Sequence, residues 1–441
     1  MKIAIPVCLS LFTFLPQSLC GADFQHSHPF LDQMADSNAE SIIYRAQSVD
    51  NCGECLSWMN ETTEGCGSQG CGSDLCPFTD PNAKTLLGSD NFVDTTLDNI
   101  LGPIKSVGVP ISVGGWHWFN TALQDTRGSG YGIPGIRGTY FWWVSATPEY
   151  DYDQHTKIGA HAEYRFRDND NYRPFFTNNT WFYEAYGFVK SDTLGTFKAG
   201  QLEKKFGLDW GYGFWPSITN FSGYMQDPDY GVSWDRTRKV NSNLSVATVA
   251  QFFIVEDGVN GTFPNADTES VSNLKERNTL VLRVAPTWTN CDESTLSLGV
   301  NGLVQEIDSD IPGFRDSTVA AWGLDAIWQK GPWQVKGEVI QTLGRRVPTR
   351  YTSGGASNRL TDFVIGTQYA KGIMGYFADY SISFDDNPAA TQELVHVGTS
   401  MAVSDHLTFF LEWVHMDLSG SPAGTRVQLL NALNYTAMWR Y

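Results

Sequence analysis

Beyond about Ala22 the chain has no long apolar run, and nothing approaches the roughly 18 consecutive apolar residues of a membrane helix. A helical membrane protein is excluded. Positive charge is also scarce: 30 Lys and Arg stand against 48 Asp and Glu, a formal charge of −18. That balance argues against nucleic acid as a partner. Histidine is sparse and scattered, at His26, His28, His117, His155, His161, His396, His406 and His415. None sits in a G-x-S-x-G or H-x-x-x-H setting, whereas a hydrolase needs a paired nucleophile and base. The chain therefore reads as a non-enzyme that uses no cofactor and no metal. Hydrophobic residues make only 41% of the chain, yet aromatics reach 13% and there are 42 Gly. A membrane barrel fits this combination, since it confines apolar residues to one outer band and keeps its lumen polar.

The apolar residues that do cluster lie at the start. Lys2 followed by the apolar stretch Ile3–Leu15 and small residues near Cys20-Gly21-Ala22 reads as a secretory signal peptide over residues 1–22. Export leads to an oxidising compartment, which bears on the cysteines. Cys52, Cys55, Cys66, Cys71 and Cys76 cluster among Gly, Ser and Asp without the histidine of a paired zinc spacing. Disulfides are expected, with Cys291 as a sixth candidate, and sequence leaves their pairing open. Phe30–Gln47 has helical spacing, so residues 23–108 read as a short helix plus a disulfide-rich region.

From residue 109 to residue 441 the pattern changes to strands and turns. About sixteen segments of roughly ten residues follow one another. They are 109–123, 137–149, 154–167, 180–190, 194–204, 230–238, 243–255, 277–287, 294–305, 318–329, 332–343, 360–371, 373–384, 392–403, 406–416 and 426–441. Short links such as Lys330–Gly331 and Ser404–Asp405 alternate with long ones such as Lys205–Asp229 and Gly344–Arg359. Short turns at one end and long loops at the other belong to an all-β transmembrane antiparallel barrel. Alternation also sorts the faces. In the third segment Ile158, Ala160, Ala162, Tyr164 and Phe166 share one parity, which places Lys157, His161, Glu163, Arg165 and Arg167 inside. The same rule turns Lys198, Arg283, Lys336, Arg440, Glu184, Asp235, Asp325, Glu338, Asp379 and Glu412 inward.

Two stretches carry a resemblance. Val427–Tyr441 alternates apolar and polar residues and ends on an aromatic, and it looks like the closing strand of bacterial outer-membrane barrels. Gly195–Asp209, with its Gly-Gln pair before Phe-Gly-Leu-acid, resembles a segment of sixteen-stranded Gram-negative porins, the phosphate-selective type in its wording. The resemblance implies outer-membrane lipid as the surroundings, small hydrophilic solutes as cargo and a homotrimer. It also implies that the loop at 205–229 folds into the lumen as a constriction. On that reading Lys204, Lys205, Asp209, Asp227, Asp229, Arg165, Arg167 and Arg283 line the constriction, with the three aspartates opposite the three arginines across a narrow pore. Trp210, Tyr212, Trp215 and Tyr224 either touch solutes or pin the loop to the wall. A sugar- or phosphate-selective porin, and a structural or binding barrel without channel activity, are the alternatives. The family's arginine ladder has no clear counterpart in this sequence.

Overall fold

The computed structural model of the chain describes residues 85–88, 91–105, 109–125, 136–167, 180–208, 228–256, 259–260, 263–264, 274–309, 317–344, 359–385, 391–417 and 429–441. The expected signal peptide, the helix at Phe30–Gln47 and the cysteines from Cys52 to Cys76 lie outside the described residues.

The described chain opens with a helix, α1 (Phe92–Lys105). The first strands are β1 (Ile111–Asp125), β2 (Ile136–Ala146), β3 (Glu149–Asp153), β4 (Thr156–Arg167), β5 (Thr180–Ser191), β6 (Gly195–Glu203), β7 (Pro228–Asn241) and β8 (Leu244–Glu256). Two short strands, β9 (Val259–Asn260) and β10 (Phe263–Pro264), pair only with each other. The second half holds β11 (Leu274–Thr289), β12 (Thr295–Ser309), β13 (Ser317–Lys330), β14 (Trp333–Leu343) and β15 (Arg359–Lys371). It ends with β16 (Met374–Asp385), β17 (Thr391–Ser404), β18 (Leu407–Asp417) and β19 (Leu429–Arg440).

Seventeen of these strands form one sheet, and β1 pairs with both β2 and β19. The sheet is therefore closed. β2 and β3 both pair with β4 and share one line, so the seventeen strands make sixteen staves. The break between them falls at Thr147-Pro148, because proline has no N–H to give the ladder. All sixteen expected segments fall on these staves. The alternation of short and long connections also holds, with tight turns at 242–243, 331–332, 372–373 and 405–406.

Closure leaves the barrel with two faces. Leu280, Leu282 and Val284 of β11, Leu298 and Val300 of β12, and Phe409, Leu411 and Trp413 of β18 are exposed on the outside. Between them Val281, Arg283, Asn301, Phe410 and Glu412 are buried on the inside. An outward charge costs about 2–4 kcal/mol at the middle of a bilayer, so this sorting is what a lipid-facing wall requires. The last strand obeys the same rule: Tyr435 is exposed while Asn434 and Thr436 are buried. The chain is thus an all-β transmembrane antiparallel barrel.

Candidate functional site

The inner wall is where the loop after β6 begins. That segment does not leave the barrel at its rim. Lys204 to Leu208 run along the inner surface, and Phe206 and Leu208 have no exposed area. Phe206 packs on Leu202, Phe253, Val281, Leu303, Ala321 and Ile340, which are inward positions of β6, β8, β11, β12, β13 and β14. Burying such a ring contributes about 1.5–3 kcal/mol. The backbone is held as well. Lys205 N donates to Gln251 Oε1 at 2.7 Å, Gly207 N to Asn301 Oδ1 at 3.1 Å and Leu208 N to Glu338 Oε1 at 2.7 Å. Arg283 Nη1 donates to the carbonyl of Gly207 at 2.6 Å. Four wall side chains therefore fix three amides and one carbonyl of a segment that has no strand partner, as buried backbone groups require.

Arg283 is itself oriented. Its guanidinium meets Asp325 at 2.8 Å and 3.1 Å, and Asn301 Nδ2 donates to the same carboxylate at 2.7 Å. Asp325 has room only because residue 299, opposite it on β12, is glycine; a Cβ there would lie 2.1 Å from Asp325 Oδ2. The base of the loop is closed by Lys204, whose ammonium lies 2.9 Å from Asp229 and 2.5 Å from Glu276. Lys204 and Asp229 are each about 1% exposed.

Two further groups of polar side chains line the wall. On β4, Arg165 pairs with Glu163 at 2.5 Å and lies over the Tyr183 ring, 3.0 Å from its centroid. Trp116, Phe141, Trp143 and Trp181 fill the same region. Five staves away, His396 of β17 places Nδ1 2.8 Å from Asp379 of β16 and Nε2 3.0 Å from Glu412 of β18. This ties three neighbouring staves together.

Several expectations change. Asp229 does not belong to a free loop facing arginines: β7 begins at Pro228, and the Asp229 carboxylate is held by Lys204. Arg283 is neutralised by Asp325 and Arg165 by Glu163, so among the described residues these charges are paired locally, not opposed across a gap. The physical reason is proximity, since buried charges take the nearest counter-charge. Lys205, about a third exposed, lies 3.9 Å from Asp235. Arg167 ends β4, and its side chain lies outside the described residues, as do Asp209, Asp227, Trp210, Tyr212, Trp215 and Tyr224. Cys291 sits exposed in the tight turn at 290–294 with no disulfide among the described residues, and its candidate partners lie outside them. Of the acids and bases expected inward from parity, Asp325, Glu338, Asp379, Glu412, Arg283 and Lys336 are buried, whereas Lys157 is exposed. Sequence reasoning missed Phe206, Gln251 and Asn301 as anchors. Inward parity was available for the last two, but nothing marked them as acceptors for a distant loop.

The described residues form a closed sixteen-stave barrel with an apolar outside, a polar inside and residues 204–208 fastened to the inner wall, a fold that solved porins share. Solved structures share this fold. Salmonella typhi OmpF, solved in complex with daunomycin, matches at a TM-score of 0.55 and 9% identity over 76% of this chain and 97% of that one. The outer membrane channel DcaP of Acinetobacter baumannii matches at 0.53 and 13% identity, covering 76% of this chain and 97% of that one. The anion-selective porin from Comamonas acidovorans matches at 0.53 and 11%, covering 76% of this chain and all of that one. Identities this low establish a shared fold. No family model matches the sequence, and no curated protein does.

Proposed function

We propose that the protein is an outer-membrane porin, exported with loss of residues 1–22 and assembled as a homotrimer. On this reading it passes small hydrophilic solutes and ions by passive diffusion through a lumen narrowed by the loop after β6. The observation that carries the reading is the fastening of Lys205, Gly207 and Leu208 to Gln251, Asn301, Arg283 and Glu338, which starts the loop on the inner wall. A segment pinned there by four wall side chains takes up cross-section that solute would otherwise use.

The test is single-channel conductance in planar bilayers. Deleting Gly211–Ser222 leaves every anchor in place. It should raise conductance while the barrel keeps its compact mobility on unheated gels. Conductance and solute cutoff unchanged by the deletion would refute the constriction. The net charge of −18 favours a weak preference for cations, because fixed charge in a narrow pore selects counter-ions. Reversal on the anion side in a salt gradient, together with competition by phosphate, would replace this with the phosphate-selective reading.

A further inference from the structure

The short-turn rim of the barrel carries a structure that solute passage does not call on. α1 and the residues just before it lie against this rim and are bonded to it at three places. Leu86 N and Leu87 N donate to the carbonyls of Ala402 and Val403 at 3.0 Å and 2.9 Å, beside the bulge at the end of β17. The Asp94 carboxylate then accepts from the amides of Asp405 and His406, the turn between β17 and β18, at 3.2 Å and 3.3 Å. One turn of helix further, Asp98 hydrogen-bonds the Tyr441 hydroxyl. A further turn on, Gly102 lies so close that a Cβ there would sit 3.5 Å from that oxygen.

Asp94, Asp98 and Gly102 are four residues apart, so they line one face of the helix. The eight helical rises from the first to the last cover about 12 Å, enough to pass beneath two or three strands spaced about 4.8 Å apart. The strands concerned are β18 and β19, and the endpoint is the seam. Tyr441 exchanges both backbone hydrogen bonds with Val113 at 2.8 Å and 2.9 Å, which makes it the rim-side end of the β19–β1 closure. The helix is also set for this geometry. Asn91 caps it through Asp94 N at 2.9 Å, and its amide holds the same Asp94 carboxylate at 2.5 Å, so the residue that starts the helix also aims the group that grips the turn.

We propose that residues 85–88 and 91–102 act as a strap that bolts the β17–β18 turn to the β19–β1 seam, so that the seam cannot open at the rim before α1 undocks. The Tyr441 hydroxyl, and not only its ring, then belongs to the closure. This inference stands apart from solute passage and survives if the barrel conducts nothing.

The experiment uses the full chain refolded in detergent, with two readouts. The first is hydrogen exchange of the Asp405 and His406 amides, which Asp94 covers. The second is the temperature at which the barrel loses its compact mobility on gels. Asp94→Ala should speed exchange of those amides about ten- to a hundredfold, the range expected when hydrogen bonds to a charged group are lost. It should also lower the transition temperature. Tyr441→Phe keeps the aromatic ring and should reproduce the lowered temperature in milder form, as should Asp98→Ala. Thr96→Ala removes only a bond to Phe92 O within the helix and should change neither readout. Faster exchange in Asp94→Ala with no change in transition temperature in any variant would overturn the proposal, because α1 would then undock without loosening the seam. Unchanged exchange in Asp94→Ala would overturn it as well.

Discussion

Replacing Gly207 by alanine tests whether the loop is held where its first residues lie. Gly207 has φ of +81°, in the left-handed region that a residue with a Cβ enters at a cost of about 1–2 kcal/mol. The added Cβ would also lie 2.5 Å from Glu338 Oε1. That oxygen accepts from Leu208 N, so the carboxylate must move and leave a buried amide unmet, costing about 1–3 kcal/mol more. Together the two effects weaken the held position by about 2–5 kcal/mol, a factor of roughly thirty to several thousand at 1.4 kcal/mol per tenfold. The barrel wall is untouched, so compact mobility on unheated gels should persist. Single-channel recordings should change from a steady open level to repeated steps between a lower and a higher conductance. Gly337→Ala, one residue from Glu338 on the same strand, is the control, because its new Cβ meets nothing nearer than 3.9 Å. A steady, wild-type current from Gly207→Ala in a folded barrel would refute the reasoning. Either the anchors at 205–208 would then not set the loop's position, or the loop would not narrow the pore.

Two further outcomes follow from the same structure. Lys204→Met should leave Asp229 and Glu276 facing each other without their cation, destabilising the barrel by about 3–5 kcal/mol. A midpoint of denaturant-driven loss of compact mobility within error of wild type would contradict this. Asp94 should make the docking of α1 sensitive to acid. Burial opposes its charge, but hydrogen bonds from Ser404, Asn91 and the amides of Asp405 and His406 outweigh burial and hold the carboxyl below its ordinary value of 3.8. A carboxyl depressed in the folded state contributes stability that is fully present above its unfolded value and is lost as pH falls through the folded one. Proteolysis of α1 should therefore be slow and constant at pH 5–7 and accelerate below about pH 4, where unfolded aspartate begins to take up its proton. Asp94→Asn should flatten that acid limb, and an unchanged limb would assign the transition to another group.

The staves were legible because alternation is a local property. Leu280, Leu282 and Val284 on one parity with Val281 and Arg283 on the other need no knowledge of the neighbouring strand. The break at Pro148 was hidden because the ladder against β4 resumes one residue later, at Glu149. α1 was hidden for a different reason: Gly102 and Pro103 near its end, with Thr95 and Thr96 in its middle, weaken any helical signal. Its stability comes from Asn91 and from the rim it grips. Parity also gave the faces of Arg283 and Asp325 correctly, but not their pairing. They sit two staves apart, and their level depends on the stagger of the barrel, which no single strand reveals.

Asp229 is the instructive case, because its partner was within reach of the sequence. A loop that leaves one strand and returns on its antiparallel neighbour brings its two ends together, and Leu202 does pair with Asp229 across β6 and β7. A basic residue just after β6 and an acidic residue at the start of β7 are therefore near neighbours whatever the loop does between them. Lys204 and Asp229 neutralise each other at the loop's base, with Glu276 closing the set. Changing Asp229 to asparagine would therefore report on stability more than on any charge selectivity that the proposed pore has. Asp209 and Asp227 remain the acids of the loop to be tested for selectivity, one at a time and with Lys204 intact.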